Sequence, residues 1–142
     1  MTPQATAKRA IIIFGLAFGL NFIWEYFHAR LYLHYRGGPI TELVLLRATL
    51  LDALFITGLF IAVYTIPFFY KNRWRWTILF SFAAAVLLER YALATGRWAY
   101  ANAMPLIPLL KTGLTPTIQL ALLAVLAFRL AGEKKALSKF CG

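Results

Sequence analysis

Apolar residues dominate four long stretches of the chain, and short polar or basic segments separate them. The hydrocarbon core of a bilayer is about 30 Å thick and needs about 20 apolar residues per helix. Four stretches meet this length and predict helices at about 10–29, 48–70, 76–94 and 105–128. None shows the alternating polarity of a membrane β-strand. The pattern therefore predicts a single all-α domain, a polytopic membrane protein built as a bundle of four transmembrane helices.

The first two helices carry boundary signals. No small-x-small cleavage site follows the first apolar run, which continues through residues 24–26, so we expect an uncleaved helix rather than a signal peptide. Before the second run, Pro39, Thr41 and Glu42 combine a turn residue, an N-cap candidate and an acid for the first turn. The second helix is therefore expected to begin as early as residue 40, outside the apolar layer.

The fourth stretch is interrupted in its first half by Pro105, Pro108, Gly113 and Pro116. The uninterrupted part, residues 117–128, is only about 18 Å long as a helix, which is too short to cross a bilayer alone. We expect either a helix kinked through Pro116 or irregular backbone at 105–115, which membranes tolerate only where protein or a wet cavity covers it. The fourth helix is thus predicted to be kinked or broken in its outer half.

Composition supports the membrane interpretation. Of 142 residues, 61% are hydrophobic and 14% charged, whereas soluble domains have about 45–50% and about 25%. A soluble chain of this size cannot bury so much apolar surface. These values exclude an ordinary soluble enzyme, a disordered chain and a secreted disulfide scaffold. Cys141, the single cysteine, cannot form an intrachain disulfide.

The net charge of +10 is distributed unevenly between the ends of the apolar runs. Nine basic residues fall on the side of the termini and of the 2–3 connection, against six on the other side. The positive-inside rule places the nine-residue side and both termini in the cytoplasm, as in a multi-pass protein of a bacterial inner membrane. Topology accounts for the basic excess, so nucleic acid is not a predicted partner. The nine residues are Lys8, Arg9, Lys71, Arg73, Arg75, Arg129, Lys134, Lys135 and Lys139.

Three acids lie within or at the edge of the apolar runs: Glu25, Asp52 and Glu89. Counted from the nearest basic residue on the cytoplasmic side, they lie about 24, 28 and 21 Å along their helices, within about a turn or so of one another. Ionisable residues are costly in a membrane and mark functional sites, so these are the candidate catalytic acids and bases. The alternative is a structural role in ion pairs with nearby arginines. Those arginines are Arg30, Arg47, Arg90 and Arg97.

Polar side chains with helical spacing accompany the acids. Asn21 and His28 share a face of the first helix with Glu25, and Gln119 falls near the middle of the fourth. Polar faces of membrane helices usually point into the bundle. We therefore predict that Asn21, His28 and Gln119 contact a substrate.

The segment after Glu89 resembles a site element. Arg97, Trp98 and Tyr100 follow the acid just outside the apolar run, where an arginine can clamp an anionic headgroup and aromatic rings can lie along an apolar substrate. These three are predicted substrate-binding residues. An ordinary interfacial loop with a Glu–Arg pair is the alternative interpretation.

Four residues of this segment, Glu89, Thr95, Gly96 and Tyr100, resemble a stretch of integral-membrane carotenoid-modifying enzymes, in which a helical Glu precedes a Thr-Gly-x-x-x-Tyr-like run. The resemblance covers about a dozen residues and implies an isoprenoid substrate. Those enzymes are generally larger or act as paired modules, and this chain departs from them there. As a whole, the chain resembles small bacterial four-helix membrane proteins.

Two further motifs have competing interpretations. Glu25 and His28 have the i, i+3 spacing of some metal sites, with His34 as a third ligand, but a second such pair is missing. No metal or cofactor is therefore predicted. Gly15 and Gly19 form a GxxxG, which permits close helix approach within the bundle or in a dimer.

The sequence leaves three functions open. The first is binding or modification of a lipid or isoprenoid-like substrate in the outer leaflet. The second is a non-catalytic membrane subunit, with the basic segment 133–139 against anionic lipid and a second copy or another membrane protein as partner. The third is a small cation or proton transporter or channel subunit, for which a continuous polar path is not visible in the sequence. Whether the protein is an enzyme stays undecided at this stage.

Overall fold

The structure, a computed structural model, describes residues 2–137 and the side chains of residues 2–132. It is all-α, with four helices long and apolar enough to span a membrane, as predicted. Cys141 and the end of the basic segment 133–139 lie outside the described residues. The helices are α1 (Pro3–His28), α2 (Glu42–Thr65), α3 (Pro67–Tyr70), α4 (Arg73–Ala94) and α5 (Leu114–Leu137). The strands are β1 (Tyr32–Tyr35), β2 (Trp98–Tyr100), β3 (Leu106–Ile107) and β4 (Thr112–Gly113).

Threonine caps begin α1 and α2. The Thr2 hydroxyl accepts the Ala5 amide at 3.3 Å, and Pro3 occupies the first helical position, where its missing N–H is not needed. The Thr41 hydroxyl accepts the Val44 amide at 3.4 Å. Helix α2 thus begins at 42, close to the earliest predicted position, and α1 begins seven residues before the predicted residue 10.

The outer part of the fourth segment differs from the predicted helix 105–128. Strands β3 and β4 form an antiparallel hairpin there, and α5 begins only at Leu114. Pro116 is the third residue of α5, a position whose N–H has no helical partner, so it begins the helix instead of kinking it. Helix α5 reaches a spanning length by continuing beyond the predicted end at 128.

The connection between α2 and α4 is longer than the five residues, 71–75, that the predicted helices 48–70 and 76–94 leave between them. Helix α2 ends at Thr65, Pro67 begins the short helix α3, and α4 starts at Arg73. As a result, α4 packs mainly along α5, and α1 packs mainly along α2. Helices α2 and α4 contact each other over a shorter stretch than either of those pairs.

The alternating helix directions give the bundle two chemically different ends. We call one the terminal end, where α1 and α4 begin, α2 and α5 end, and α3 lies. We call the other the hairpin end, where all four strands lie. Between them is an apolar core whose large side chains Ile13, Ile56, Phe60, Val63 and Phe128 are buried. Alanines allow the helices to approach closely in this core. They are Ala17, Ala53, Ala85, Ala124 and Ala127.

Candidate functional site

The end of α4 reverses the chain over its own last turns. Gly96 adopts a left-handed conformation (φ 66°) just past the C-cap Thr95. The Gly96 amide donates to the Leu93 carbonyl at 3.3 Å, and the Arg97 amide donates to the Ala92 carbonyl at 2.8 Å. This is a Schellman motif, for which glycine is favoured because it lacks a Cβ. The motif directs strand β2 back toward the helix.

Strand β2 pairs antiparallel with β1, which follows α1. Tyr32 lies opposite Tyr100, and Tyr35 lies opposite Trp98. Because side chains alternate along a strand, Trp98 and Tyr100 project from the same face. The ring of Tyr32 packs against both, with centroid distances of 5.9 Å to Trp98 and 5.5 Å to Tyr100. Three aromatic rings thus form a small cover over the hairpin end of the bundle.

This aromatic cover binds the carboxylate of Glu89. The Tyr32 hydroxyl donates to Glu89 Oε1 at 3.3 Å, the Trp98 indole donates to Oε2 at 3.3 Å, and the Tyr100 hydroxyl donates to Oε2 as well. Glu89 is only 5% exposed. The acid is therefore held by three neutral donors rather than by an arginine.

The two tyrosines are suited to act as neutral donors. Burial, together with the nearby Glu89 charge, raises the pKa of Tyr32 above the ordinary tyrosine range. Burial and the hydrogen bond to Glu89 raise the pKa of Tyr100 in the same direction. Both hydroxyl groups consequently keep their protons at any physiological pH.

The other two predicted acids meet on a single amide. Gln119 Nε2 lies 2.7 Å from Glu25 Oε1, 3.2 Å from Asp52 Oδ2 and 3.2 Å from Asn21 Oδ1. An amide nitrogen carries two hydrogens, so three acceptors compete for two protons. Asn21 itself donates to the Ala17 carbonyl at 2.8 Å. Three helices thus place polar side chains around the α5 glutamine.

The hairpin β3–β4 is attached to the same network. The Gly113 amide donates to the Tyr100 hydroxyl at 2.8 Å, so Tyr100 joins Glu89 to the start of α5. A Cβ on Gly113 would lie 2.8 Å from Met104 Sδ and 2.9 Å from Pro116 Cγ. Glycine is therefore required at this position by close approach.

A cavity of about 250 Å³ lies between these groups at the hairpin end. Glu25, Asp52 and Glu89 all line it, together with Gln119 and Trp98. Three arginines line the same cavity: Arg36, Arg47 and Arg97. The remaining wall is largely apolar, contributed by residues such as Ile40, Val44, Leu45, Leu51, Leu88 and Leu120.

Arg36, Arg90 and Arg97 contact groups other than the acids. The Arg97 guanidinium lies 5.2 Å from the Tyr91 ring centroid, and that of Arg36 lies 5.5 Å from the Tyr35 ring centroid. Arg90 donates to the Leu110 carbonyl at 3.2 Å. Within residues 2–132, the hydrogen bonds to the three cavity acids come from neutral donors. The ion pairs that the alternative interpretation requires are not formed there.

The structure brings most of the sequence-predicted site residues together. Glu25, Asp52, Glu89, Arg97, Trp98 and Gln119 line the cavity. Asn21 and Tyr100 lie behind its wall and hydrogen-bond to residues that line it.

His28 is the exception among the predicted site residues. It lies outside the cavity, and its Nε2 is 2.6 Å from Thr115 Oγ1. His34 does line the cavity, and its Nδ1 accepts the Gly37 amide. The conceivable metal set of Glu25, His28 and His34 is therefore dispersed. Among the described residues, no group of three or more His, Cys, Asp or Glu is arranged to hold a metal ion.

Sequence reasoning missed Tyr32 as a ligand of Glu89, and Arg36 and Arg47 as cavity residues. Tyr32 shares the helical spacing of Asn21 and Glu25 but acts from a strand, where its pairing opposite Tyr100 brings its hydroxyl to Glu89. The two arginines come from the segment 36–47, whose basic residues were assigned to topology or ion pairs. The turn at Gly37, with φ 76°, brings that segment back over the cavity.

The GxxxG of α1 has no role in close packing inside the bundle. Gly15 and Gly19 are exposed, and a Cβ added to either would meet nothing within 4 Å. This excludes close packing within the chain for the described residues. Association with another helix remains the interpretation of this motif that the sequence left open.

Comparison with known proteins adds nothing to this geometry, because no family model, no curated protein and no solved structure matches the chain.

Proposed function

We propose that the protein is an integral membrane protein with the terminal end in the cytoplasm and the hairpin end in the outer leaflet. The outward faces of all four long helices are apolar, with Ile11 74%, Leu51 66%, Leu87 68% and Ile118 40% exposed. Apolar residues all around a helix are typical of membrane spans. The excess of Lys and Arg near the terminal end supports the orientation. A bacterial inner membrane is the compartment in which such a topology is expected.

With this orientation in the membrane, we propose that the protein binds a lipid or isoprenoid-like substrate at the hairpin end and modifies it by acid–base chemistry. One observation carries the proposal: a single cavity is lined by three carboxyl groups, of which Glu89 is buried and Glu25 and Asp52 are partly buried, and by three arginines that form no ion pair with them within the described residues. Shielding three carboxyl groups from water is costly unless a bound partner compensates them. A substrate with a polar or anionic head would engage the arginines, and its apolar part would contact the leucines.

The shape of the cavity favours a ligand that enters from the side. Leu51 of α2 and Leu88 of α4 line the cavity and are also 66% and 51% exposed. They belong to two helices that contact each other less than α1 and α2 or α4 and α5 do, so we infer an opening toward lipid between α2 and α4. About 250 Å³ is slightly less than the roughly 300 Å³ at which drug-sized pockets begin. It would hold a headgroup and the first carbons of a chain that extends outward between the helices.

The carboxyl groups are placed for proton transfer. Glu25 and Asp52 share the Gln119 amide, and a carboxyl pair so placed can hold one proton and pass it on. Glu89, which lines the same cavity, is oriented by Tyr32, Trp98 and Tyr100. One carboxyl group would give a proton to an alkene or hydroxyl while another carboxylate accepts one, so no oxidant or reductant is needed. The four-residue resemblance to carotenoid-modifying enzymes agrees with an isoprenoid substrate.

Transport across the bundle is less well supported. Below the cavity, the described core is mainly apolar, with Ile13, Ile56, Phe60 and Val63 fully buried, and the hydroxyl groups of Ser81 and Thr77 on α4 are the buried polar groups there. An ion would have to cross this layer with two hydroxyl groups as ligands and no charged one, at high cost. The non-catalytic subunit interpretation predicts a partner protein instead of a bound lipid, and the experiment below separates the two.

The test is to purify the protein in mild detergent and to measure bound lipid by mass spectrometry. Added geranylgeraniol and geranylgeranyl diphosphate serve as probes of an isoprenoid with a neutral or an anionic head. We expect wild type to retain a lipid or a probe and Arg97→Gln to retain at least tenfold less. Glu89→Gln is expected to retain it without converting it.

Glu42→Gln is the matched control, because it removes an exposed acid from the first turn of α2, outside the cavity. It should behave as wild type. Equal retention by wild type, Arg97→Gln and Glu42→Gln would contradict the binding site. A constant partner protein without bound lipid would favour the subunit interpretation, and ion flux through liposomes that Glu25→Gln abolishes would favour transport.

A further inference from the structure

Three arginines from three helices converge at the terminal end, far from the cavity. Arg9 of α1 and Arg73 of α4 both approach the ring of Tyr64, with guanidinium carbons 5.4 and 5.6 Å from its centroid. Arg73 and Arg129 of α5 both approach the ring of Trp74, at 6.0 and 5.7 Å. Two shared rings therefore hold three cations side by side. We call Arg9, Arg73 and Arg129 the arginine cluster.

The cluster has hydrogen-bonding capacity that the described residues do not use. The Nε atoms of Arg9 and Arg73 are buried and have no hydrogen-bond partner there. The Arg9 guanidinium also packs against α5, where a Cβ on Gly132 would lie 3.0 Å from its terminal nitrogen. Arg9 thus reaches across the bundle toward the helix of Arg129. A buried donor without an acceptor is costly, so this arrangement needs an additional acceptor.

Cation–π contacts alone do not stabilise such a group. Each such contact is weakly attractive, but three guanidinium groups around two rings also repel one another. An anion with several oxygens, bound between the three guanidinium groups, would replace their mutual repulsion with attraction to the anion. Guanidinium groups match phosphate in particular, because their planar fork donates two parallel hydrogen bonds to it.

We propose that the arginine cluster binds a phosphate group, either the headgroup of an acidic phospholipid or free phosphate. Arg129 is exposed at the helix surface and gives access from outside. Lys8, Lys71 and Arg75 are exposed at the same end and add positive potential that attracts anionic lipid. Phe68, 71% exposed on α3, offers an apolar surface for an acyl chain. This site is independent of the cavity and of the function proposed for it.

The test measures the unfolding temperature of the full-length protein in neutral detergent. Phosphatidylglycerol should raise it by about 5 °C relative to the same amount of phosphatidylcholine. Arg73→Gln and Arg129→Gln should lose most of this rise. Arg129→Gln is the safer variant because its side chain is exposed. Arg75→Gln removes an exposed charge two residues from Arg73 and should keep the rise.

Inorganic phosphate, compared with sodium chloride at equal ionic strength, distinguishes the two sources. A rise with phosphate alone means that the free anion suffices, and a rise only with phosphatidylglycerol means that the lipid is the ligand. Either result supports the site if Arg129→Gln removes it. Equal effects of both phospholipids on wild type, or an equal loss in Arg75→Gln, would overturn the proposal. The proposal would also be overturned if a Glu133→Gln variant bound as much lipid as wild type but lost as much stability as Arg73→Gln. Glu133 would then be the counter-charge of the arginine cluster.

Discussion

The two ends of the bundle use aromatic residues in opposite ways. At the hairpin end, Tyr32, Trp98 and Tyr100 offer their polar edges as donors to the carboxylate of Glu89. At the terminal end, Tyr64 and Trp74 offer their faces to arginines. Tyrosine and tryptophan carry an O–H or N–H donor at the edge of the ring and negative charge on its face, so the same residue types stabilise an anion at one end and cations at the other.

The difference shows how one small bundle can keep two charged regions apart. The apolar core separates the acids of the hairpin end from the arginines of the terminal end, so these two groups do not pair directly. Each end is left with a charge that a bound molecule can compensate. The hairpin end combines acids with arginines in a cavity, and the terminal end is basic at its surface. The following predictions test this contrast from the largest expected effect to the smallest.

Gln119→Leu should be the most damaging single change at the hairpin end. It removes the donor shared by Glu25, Asp52 and Asn21 and leaves three acceptors without it. We expect a loss of about 3 kcal/mol in the free energy of unfolding, measured by titration with a denaturing detergent. Asp52→Leu should cost less in the Gln119→Leu background than in wild type, because the acceptor then disappears together with its donor. Additive costs would show that Gln119 does not hold the acids.

Gly113→Ala should destabilise the hairpin by steric conflict. The new Cβ would meet Pro116 Cγ at 2.9 Å and Met104 Sδ at 2.8 Å, and the shift would also disturb the Gly113 amide that donates to Tyr100. We expect a loss of about 2 kcal/mol, measured in the same way.

Gly58→Ala is the control for this change. Gly58 lies in α2 with nothing within 4 Å of an added Cβ, so alanine there should stabilise by about 0.5–1 kcal/mol. If both substitutions had the same sign, the close approach at Gly113 would not govern the start of α5.

Local features of this fold follow from the sequence, and features that depend on distant contacts do not. Apolar length predicted four spans because each helix needs about 20 such residues whatever its neighbours are. The start of α2 was foreseen from Pro39, Thr41 and Glu42 because a helix cap is a local feature. The hairpin β3–β4 was missed because two-residue strands have no periodicity, and the prolines beside them indicated either a kinked helix or irregular backbone.

The sequence predicted the candidate site residues whose placement depends on depth along a helix. It missed the contacts that form where a turn brings the chain back to the site. Counting residues placed Glu25, Asp52 and Glu89 in one layer, and all three line one cavity. The aromatic donors of Glu89 depend on the Schellman turn at Gly96 and on pairing with Tyr32 from a distant segment. His28 shows the limit of facial spacing, since one turn past Glu25 its ring turns to Thr115. Helical spacing alone does not determine which tertiary contact a side chain makes.

Tyr100→Phe should have a smaller effect that depends on pH. The hydroxyl donates to Glu89 and accepts from Gly113, so its loss should cost about 1 kcal/mol near neutral pH. Because the pKa of Tyr100 is raised in the folded protein, the unfolded chain loses this proton first, from about pH 10 upward. The stabilisation is therefore complete below about pH 10 and declines above it.

The measurement is the unfolding free energy from neutral to strongly alkaline pH for wild type and Tyr100→Phe. Wild type should lose more stability above about pH 10 than the variant does. Tyr26→Phe is the matched control, since Tyr26 is 54% exposed, and it should change neither value. Parallel pH curves for wild type and Tyr100→Phe would mean that the hydroxyl is not a buried donor to Glu89.

The smallest expected effect is the coupling between the ends. If the apolar core separates two independent sites, Glu89→Gln and Arg73→Gln should act additively on stability, within about 0.5 kcal/mol, because their surroundings share no residue. Glu89→Gln should also leave the phosphatidylglycerol effect unchanged, and Arg73→Gln should leave cavity ligand retention unchanged. A coupling above about 1 kcal/mol would mean that the core transmits a change from one end to the other. The cavity and the arginine cluster would then act together, with a ligand at one site changing the affinity of the other. The contrast between the two ends would in that case reflect one coupled function rather than two separate ones.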